Sequence, residues 1–361
     1  MLLPQALIVL TLFCLVAAPL QAAKPHAAAA QVPASIPPSP QPVTETLPLA
    51  YLGQQAESLP APPFFDPFVP NQGVQGARLA IQDDNTTGRF TRQHFELHET
   101  LLPADADAIT AFQALMAKGY QHILVRLAPA VVKQLAALPE ARHRLIYDIA
   151  TQEDPLTAEA CQPNVLKLMP SRAMRADALA QYLLKKRWSR WFLVVGPNDG
   201  DQHYAAAIKR AAQRYGARIV AEKLWQHHFD ERRTPESEIP VFTQGDDHDV
   251  LVVADEFGVF GDSLSYRSWH PRPVVGTQGL KPTNWHRTHE AWGALQLQHR
   301  FKEQAGYEMT ETDYAAWLAV RAVGEAATRT RSVQFEPIKA YLLGNDLALA
   351  GFKGVPLSFR A

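Results

Sequence analysis

Residues 123–149 have the sequence ILVRLAPAVVKQLAALPEARHRLIYDI, and their pattern decides the fold class. Two short apolar runs, at 123–127 and 145–149, enclose a segment at 130–141 whose apolar residues recur at helical spacing. A strand, a helix and a second strand in this order form the repeating unit of a parallel sheet. The stretch therefore predicts one β-α-β unit.

The same alternation extends in both directions from this unit. Upstream we predict strands at 47–52 and 94–101 and helices at 73–84 and 105–118. Downstream the pattern predicts a helix at 172–187, a strand at 191–195 and a helix at 204–215. Three further strands are predicted at 219–224, 250–254 and 273–276. Two runs of alternating strands and helices predict an α/β protein with two doubly wound, Rossmann-like lobes.

The last third of the chain departs from this alternation. Two helices are predicted at 292–305 and 313–330, and a short helix near 337–343. Apolar runs at 347–352 and 355–359 predict a closing hairpin around Gly354.

Several function classes are disfavoured by the loops and the composition. The loops after the first strand of each lobe, GQQAESLPAPP at 53–63 and GPNDGDQHY at 196–204, lack the glycine-rich phosphate fingerprint of nucleotide-binding enzymes. The 35 basic and 36 acidic residues give a net charge of −1, which argues against a nucleic-acid partner. No GxSxG or HExxH motif occurs, and two cysteines are too few for a cysteine-based metal site. We therefore predict no catalytic residues, no metal and no cofactor.

The N-terminal region has the composition of an export signal followed by a linker. Residues 6–18 (ALIVLTLFCLVAA) form an uncharged apolar run of signal-peptide length, and small residues follow at 22 and 23. We predict a cleaved signal peptide at 1–22 and a periplasmic location, with a membrane anchor as the alternative. Seven prolines between residues 25 and 48 predict an extended tether at 23–46.

Three motifs carry a resemblance to a known family. The stretches GVQGARLAIQDDN (73–85), NVLKLMPS (164–171) and DYAAWLAVRAVGEAATRT (313–330) resemble the first helix, the first lobe crossover and the returning helix of type I periplasmic solute-binding proteins. This is the group that contains the branched-chain amino acid receptors of ABC importers. The resemblance implies a first lobe at 47–168 plus 288–332 and a second lobe at 169–287 plus 333–361.

A narrower likeness rests on five further segments. Residues 172–183, 253–256, 266–280, 290–297 and 352–360 are similar to the subfamily associated with PQQ-dependent alcohol dehydrogenase systems. Chains of that subfamily continue past the strand that resembles 357–360. The resemblance therefore implies that this chain is truncated at its C-terminus.

This resemblance implies a function without catalysis. The chain would be the periplasmic substrate-binding component of an ABC transporter linked to PQQ-dependent alcohol oxidation. Its partners would be a small-molecule ligand, a transporter permease and, functionally, the quinoprotein dehydrogenase. The alternative is an accessory or sensor protein of that dehydrogenase system without a transport role, and a secreted enzyme on the same scaffold is a further rival.

Ligands of open α/β sheets bind outside the carboxyl ends of the strands, which places the candidate site in the loops there. The residues that we predict to bind ligand are Phe68, Ala128, Ala150, Thr151, Asp199, Asp201, Phe257 and Gln278.

Two positions of the resemblance bear on the ligand. Thr151 stands where the family supplies a hydroxyl for the ligand carboxylate, and Gln278 stands where it supplies the acid that pairs with the ligand ammonium. A neutral amide does not replace that charge, because a buried unpaired ion costs several kcal/mol. We therefore expect a neutral, oxygenated or aromatic ligand, held by Thr151 and Gln278 together with Phe68 and Phe257.

Each of these residues also has a structural interpretation that the sequence leaves open. Phe68 would then pack its loop onto its own lobe, and Gln278 would bond to the loop backbone. Asp255 and Glu256, which end a predicted strand, would cap the following helix.

Overall fold

The computed structural model describes residues 44–55, 69, 71–154, 162–226 and 234–359. The predicted signal peptide, the predicted tether up to residue 43, and Phe68 lie outside the described residues. The first strand begins at Glu45, inside the segment 23–46 that the sequence assigns to the tether.

The first sheet has five parallel strands in the order β2-β1-β3-β4-β5. They span β1 Glu45–Gln54, β2 Gln93–Leu102, β3 His122–Arg126, β4 Leu145–Asp148 and β5 Val165–Lys167. Along β1, Leu49 and Tyr51 face one buried cluster while Ala50 and Leu52 face another. Successive side chains of a strand point to opposite faces, so this central strand is covered on both sides.

Helices cover both faces of this sheet and complete what we call the first lobe. One face packs against α1 Val74–Thr91, α8 Ala294–Ala305, α9 Glu311–Thr330 and α10 Phe335–Leu342, and the other against α2 Ala108–Ala117 and α3 Pro129–Ala137.

The second lobe repeats the arrangement around four parallel strands in the order β7-β6-β8-β9. The strands span β6 Arg190–Val195, β7 Arg218–Leu224, β8 Val250–Ala254 and β9 Val274–Gly276, and the helices are α4 Arg172–Lys185, α5 Asp199–Tyr215, α6 Pro235–Phe242 and α7 Gly261–Arg267. Trp191 of β6 packs toward α4 and α5, whereas its neighbour Phe192 belongs to the cluster on the other face, with α6 and α7.

The C-terminal segment lies elsewhere than the sequence suggested. The resemblance implies that residues 333–361 belong to the second lobe, yet Ile338, Leu342 and Leu349 are buried in the core of the first lobe. Helix α10 packs against α9, and this contact draws the segment to the first sheet. The predicted hairpin reduces to a single antiparallel bridge between Leu349 and Leu357.

Helix α1 packs closely against α9. The backbone N–H of Gly73 donates to Asp313 Oδ1 over 2.7 Å, so a side chain from α9 holds the start of α1. At Gly76 the close neighbour is the backbone of Asp313, so α1 approaches α9 directly.

Asp84 of α1 is buried at the same interface. It forms an ion pair with Arg321 of α9, but its second oxygen has no hydrogen-bond partner. Burial raises the pKa of Asp84 to about 7, and the nearby Arg321 offsets only part of that effect.

We expect the raised pKa of Asp84 to make the protein less stable as pH rises from about 4 to about 7. In this range the folded state binds the proton that the unfolded carboxyl, with its ordinary pKa of 3.8, has released. Stability therefore falls with pH through this window, by at most about 1.4 kcal/mol per pH unit from one group.

Urea unfolding of the wild type and of Asp84→Asn across this range tests the expectation. The amide does not titrate, so the difference in unfolding free energy between the two proteins should change with pH. A constant difference from pH 4 to 7.5 would show that the Asp84 carboxyl ionises normally.

Three short elements were not predicted from the sequence. They are β5, α6 and α7, of which α6 contains an internal proline at 240. Among the residues described, we find no helix with the length and apolar character required to cross a bilayer.

Candidate functional site

A cavity of 390 Å³ lies at the carboxyl ends of β8 and β9. The second lobe supplies most of its wall, from the loops after these two strands and from α4 and α5. Gln152, in the loop after β4, extends the wall from the first lobe. This is the edge at which open parallel sheets bind their ligands.

Two of the predicted ligand-binding residues line this cavity. Phe257 follows β8 and is 57% exposed, and Gln278 follows β9. Ala128, Ala150, Thr151, Asp199 and Asp201 are described by the structure but are not among the lining residues. Their role in binding stays a prediction, as does that of Phe68.

The Gln278 amide is engaged by the loop that carries it. Its Nε2 donates to the carbonyl oxygen of Asp255 over 2.7 Å, and its Oε1 accepts from the hydroxyl of Thr277 over 2.5 Å. The first of these bonds ties the loop after β9 to the loop after β8, and the second lies within the loop after β9. The arrangement matches the structural alternative that the sequence left open for Gln278.

The Asp255 carboxylate holds the start of α7. It accepts hydrogen bonds from the backbone N–H groups of Val259, Phe260 and Gly261 at 3.0, 2.8 and 2.7 Å. The first N–H groups of a helix have no partner within the helix, so a carboxylate there compensates them. Asp255 therefore shapes the cavity wall, and its charge is already compensated.

Asp201 joins the start of α5 to the same loop. Its carboxylate accepts from the backbone N–H of Glu256 over 2.6 Å and from the Asn198 side chain over 3.0 Å. Burial raises the pKa of Asp201, while these hydrogen bonds act in the opposite direction. Asp199, two residues earlier, is exposed.

Thr151 lies in a closed turn after β4. Its hydroxyl donates to the carboxylate of Asp148, and its backbone N–H donates to Asp148 Oδ1 over 3.0 Å. Burial raises the pKa of Asp148, although the hydrogen bonds from Thr151 and Ala150 lower it in part. Both donors of Thr151 are thus used within the turn. Ala150 is half-buried, and Ala128 is exposed at the start of α3.

Arg172, at the start of α4, forms ion pairs that the sequence analysis missed. Its guanidinium contacts both Glu256 oxygens at 2.7 Å and Glu153 Oε1 at 2.6 Å. Glu153 lies in the loop after β4 and Glu256 in the loop after β8, so the cluster connects the two lobes. Burial opposes the charge of Arg172, but the hydrogen bonds that it donates to both carboxylates raise its pKa overall.

A second connection between the lobes starts one turn later on α4. Arg175 donates to Glu311 Oε1 of α9 over 2.9 Å and to the carbonyl oxygen of Pro282 over 2.8 Å. Its Nε has no hydrogen-bond partner. The Tyr204 hydroxyl, on α5, is likewise buried without a partner, and both residues line the cavity.

The charges of the cavity leave no free carboxylate among the described lining residues. Asp255 is bonded to three N–H groups, and Glu256 is paired with Arg172. In the described part of the chain there is also no group of three or more His, Cys, Asp or Glu side chains that would hold a metal ion.

Comparisons with known proteins find relatives by structure alone. No protein-family model matches the sequence, and no curated protein matches it significantly. A branched-chain amino acid ABC transporter periplasmic ligand-binding protein from Burkholderia xenovorans superposes with a TM-score of 0.65 at 15% identity, over 82% of each chain.

Two further structures that were determined with an amino acid superpose in the same way. A branched-chain amino acid transporter substrate-binding protein from Streptococcus pneumoniae, in complex with isoleucine, has a TM-score of 0.62 at 15% identity, over 87% of this chain and 92% of that one. An ABC transporter substrate-binding protein from Desulfitobacterium hafniense, in complex with leucine, has a TM-score of 0.58 at 16% identity, over 81% and 87%. At these identities the likeness shows a shared fold, and the predicted fold class is confirmed.

Proposed function

We propose that this chain, whose fold is that of the type I periplasmic binding proteins, is the periplasmic solute-binding component of an ABC importer. The observation that carries the proposal is the position of the cavity, at the carboxyl ends of β8 and β9 with Gln152 of the first lobe in its wall. A ligand that contacts both lobes stabilises their closed arrangement, and a permease then recognises the closed form.

The periplasmic location in this proposal is supported by the apolar run at 6–18, which has the length of a signal-peptide core and is followed by small residues at 22 and 23. The structural neighbours, which are periplasmic or substrate-binding proteins of ABC transporters, support the same location and role. In this proposal the chain binds its solute and does not transform it.

The solute in this proposal lacks the ammonium group of an amino acid. Asp255 and Glu256, the carboxylates of the cavity wall, are compensated by backbone N–H groups and by Arg172. An ammonium placed there would remain unpaired, at a cost of several kcal/mol.

We expect calorimetric titration with leucine or valine to show no binding at micromolar concentrations. Small molecules that co-purify with the protein, identified by mass spectrometry, supply the solute for a second measurement. That solute should reduce the radius of gyration in small-angle X-ray scattering, because closing the lobes makes the protein more compact. Micromolar binding of leucine or valine would overturn the proposed solute class, and an unchanged radius with bound solute would overturn hinge closure.

A link to PQQ-dependent alcohol oxidation is the finer part of the proposal. It is supported only by the resemblance of the segments 172–183, 253–256, 266–280, 290–297 and 352–360. The solute would then be an alcohol, its oxidation product or a compound that serves the dehydrogenase.

The second candidate is an accessory or sensor protein of the quinoprotein dehydrogenase without a transport role. One observation favours it: Arg172 and Arg175 already join the lobes through ion pairs within the protein. Deleting the gene separates the two candidates. Lost solute uptake with retained dehydrogenase activity supports import, whereas lost dehydrogenase activity with retained uptake supports the accessory role.

A further inference from the structure

The wall of the cavity contains two buried polar groups that no other protein group satisfies. Tyr204 is 2% exposed and Arg175 is 5% exposed. The hydroxyl of Tyr204 and the Nε of Arg175 both lack a hydrogen-bond partner, and both residues line the cavity. They lie on α5 and α4, which pack against each other.

Unsatisfied groups of this kind are rare in folded proteins. More than about 90% of buried polar atoms find a partner, and each exception carries a cost in stability. Other such atoms lie away from the cavity, Asp84 Oδ2 among them, but these two belong to residues that line it, where a molecule that enters the cavity is available as a partner.

The Arg175 Nε–H is a donor in a fixed position, and the Tyr204 hydroxyl can donate or accept. The remaining nitrogens of Arg175 are held by Glu311 and by the carbonyl of Pro282, so the guanidinium does not turn freely. Burial raises the pKa of Tyr204 well above its usual range, so the hydroxyl keeps its proton. A ligand that satisfies the Arg175 Nε–H must present an acceptor oxygen, and the same oxygen can accept from the Tyr204 hydroxyl.

The surrounding charges select a neutral ligand. Of the two cations that line the cavity in the described part of the chain, Arg175 is neutralised by Glu311 and Lys281 is exposed to solvent. The lining carboxylates Asp255 and Glu256 disfavour an anion, and the hydrogen bonds that they already accept, from backbone N–H groups and from Arg172, leave neither of them free to pair with a cation. The half-exposed ring of Phe257 offers an apolar surface.

We propose that the Tyr204 hydroxyl and the Arg175 Nε form the polar subsite of the cavity and bind the acceptor oxygen of a neutral carbonyl or hydroxyl compound. This inference rests on the proposed function, because it assigns the solute class of the same cavity. It predicts that the hydroxyl of Tyr204 lowers the stability of the free protein and is needed for binding.

The variant Tyr204→Phe tests both halves of the prediction. Removing an unpartnered buried hydroxyl should raise the Tm of the free protein by about 2 °C. The same change should weaken binding of a carbonyl compound by about tenfold, because one hydrogen bond is lost. Tyr182→Phe is the matched control, since Tyr182 lies on α4 of the same lobe with its ring half exposed, and both quantities should stay unchanged.

The probes are acetophenone, benzoate and benzylamine, which share a ring and differ in the charge of the polar group. Ligand-observed NMR should show the tightest binding for acetophenone. In Tyr204→Phe, binding should weaken for acetophenone and for neither of the other two probes. Tighter binding of benzoate or benzylamine, binding of none of the three, or equal binding of acetophenone to wild type and variant would overturn the inference. A lower Tm for Tyr204→Phe would also overturn it, since the hydroxyl would then have a partner within the protein.

This outcome is separable from that of the proposed function. Acetophenone binding that depends on Tyr204, with unchanged solute uptake after gene deletion, supports the subsite and contradicts the import role. Lost uptake combined with Tyr204-independent binding supports the import role and contradicts the subsite.

Discussion

The variant Arg172→Met is expected to lower the free energy of unfolding by about 3 kcal/mol. The Arg172 guanidinium is 10% exposed and pairs with Glu153 and with both oxygens of Glu256. Methionine keeps much of the side-chain volume but leaves two carboxylates near each other without a counter-charge. Breaking a buried pair from one side is costly because the remaining charge stays desolvated. Urea unfolding at pH 7 measures the loss.

Three companion variants test whether the lost stability comes from the carboxylates that remain unpaired. In Arg172→Met combined with Glu256→Gln, part of the stability should return, because the less exposed of the two carboxylates, 20% exposed, is removed. Arg172→Lys should lie between wild type and Arg172→Met, since an ammonium keeps the charge without the two-pronged geometry. Arg329→Met, which breaks an exposed pair within α9, should show no resolvable change. An equally small change for Arg172→Met would mean that water screens the cluster.

The same variant bears on the function, because Glu153 and Glu256 belong to different lobes. Loss of Arg172 should therefore increase the radius of gyration of the free protein as the lobes separate. An unchanged radius would show that other contacts, including the Arg175–Glu311 pair, are sufficient to hold the lobes together.

The variant Gly76→Ala is expected to destabilise the first lobe by about 3 kcal/mol. A Cβ at this position would overlap the carbonyl oxygen of Asp313 and lie 2.6 Å from its carbonyl carbon. Backbone atoms do not move aside as a flexible side chain does, so α1 and α9 must separate. That separation also weakens the bond from the Gly73 N–H to Asp313 and the pair between Asp84 and Arg321.

The sign of the change in unfolding free energy distinguishes close packing of α1 on α9 from the intrinsic helix preference of alanine. In the middle of an exposed helix, alanine is more stable than glycine by about 1 kcal/mol, so an isolated α1 would gain stability. Thr87→Ala, on the exposed part of α1, is the control and should be neutral or slightly stabilising. Chemical denaturation of both variants gives the comparison. If Gly76→Ala proved as stable as Thr87→Ala, the close approach of α1 and α9 would be wrong.

The strands and long helices were predictable because their signal is local. The buried run at 250–254 and the helical spacing at 313–330 follow from the geometry of a single segment. The elements that were missed have weak local signals: β5 has three residues, and α7 has the mostly polar sequence GDSLSYR. The C-terminal segment was placed in the wrong lobe because its apolar residues do not specify which core they join.

At the site, the pattern of strands and loops in the sequence was enough to predict the edge of the sheets at which a cavity forms and two of its lining residues, Phe257 and Gln278. Loop positions after strands follow from topology, which local patterns encode. Which polar groups are already paired there follows from contacts between distant segments of the folded chain. Arg172 and Glu256 are 84 residues apart, and Arg175 and Glu311 are 136 apart. Pairing and burial depend on distances between remote segments, and these distances exist only once both lobes have folded.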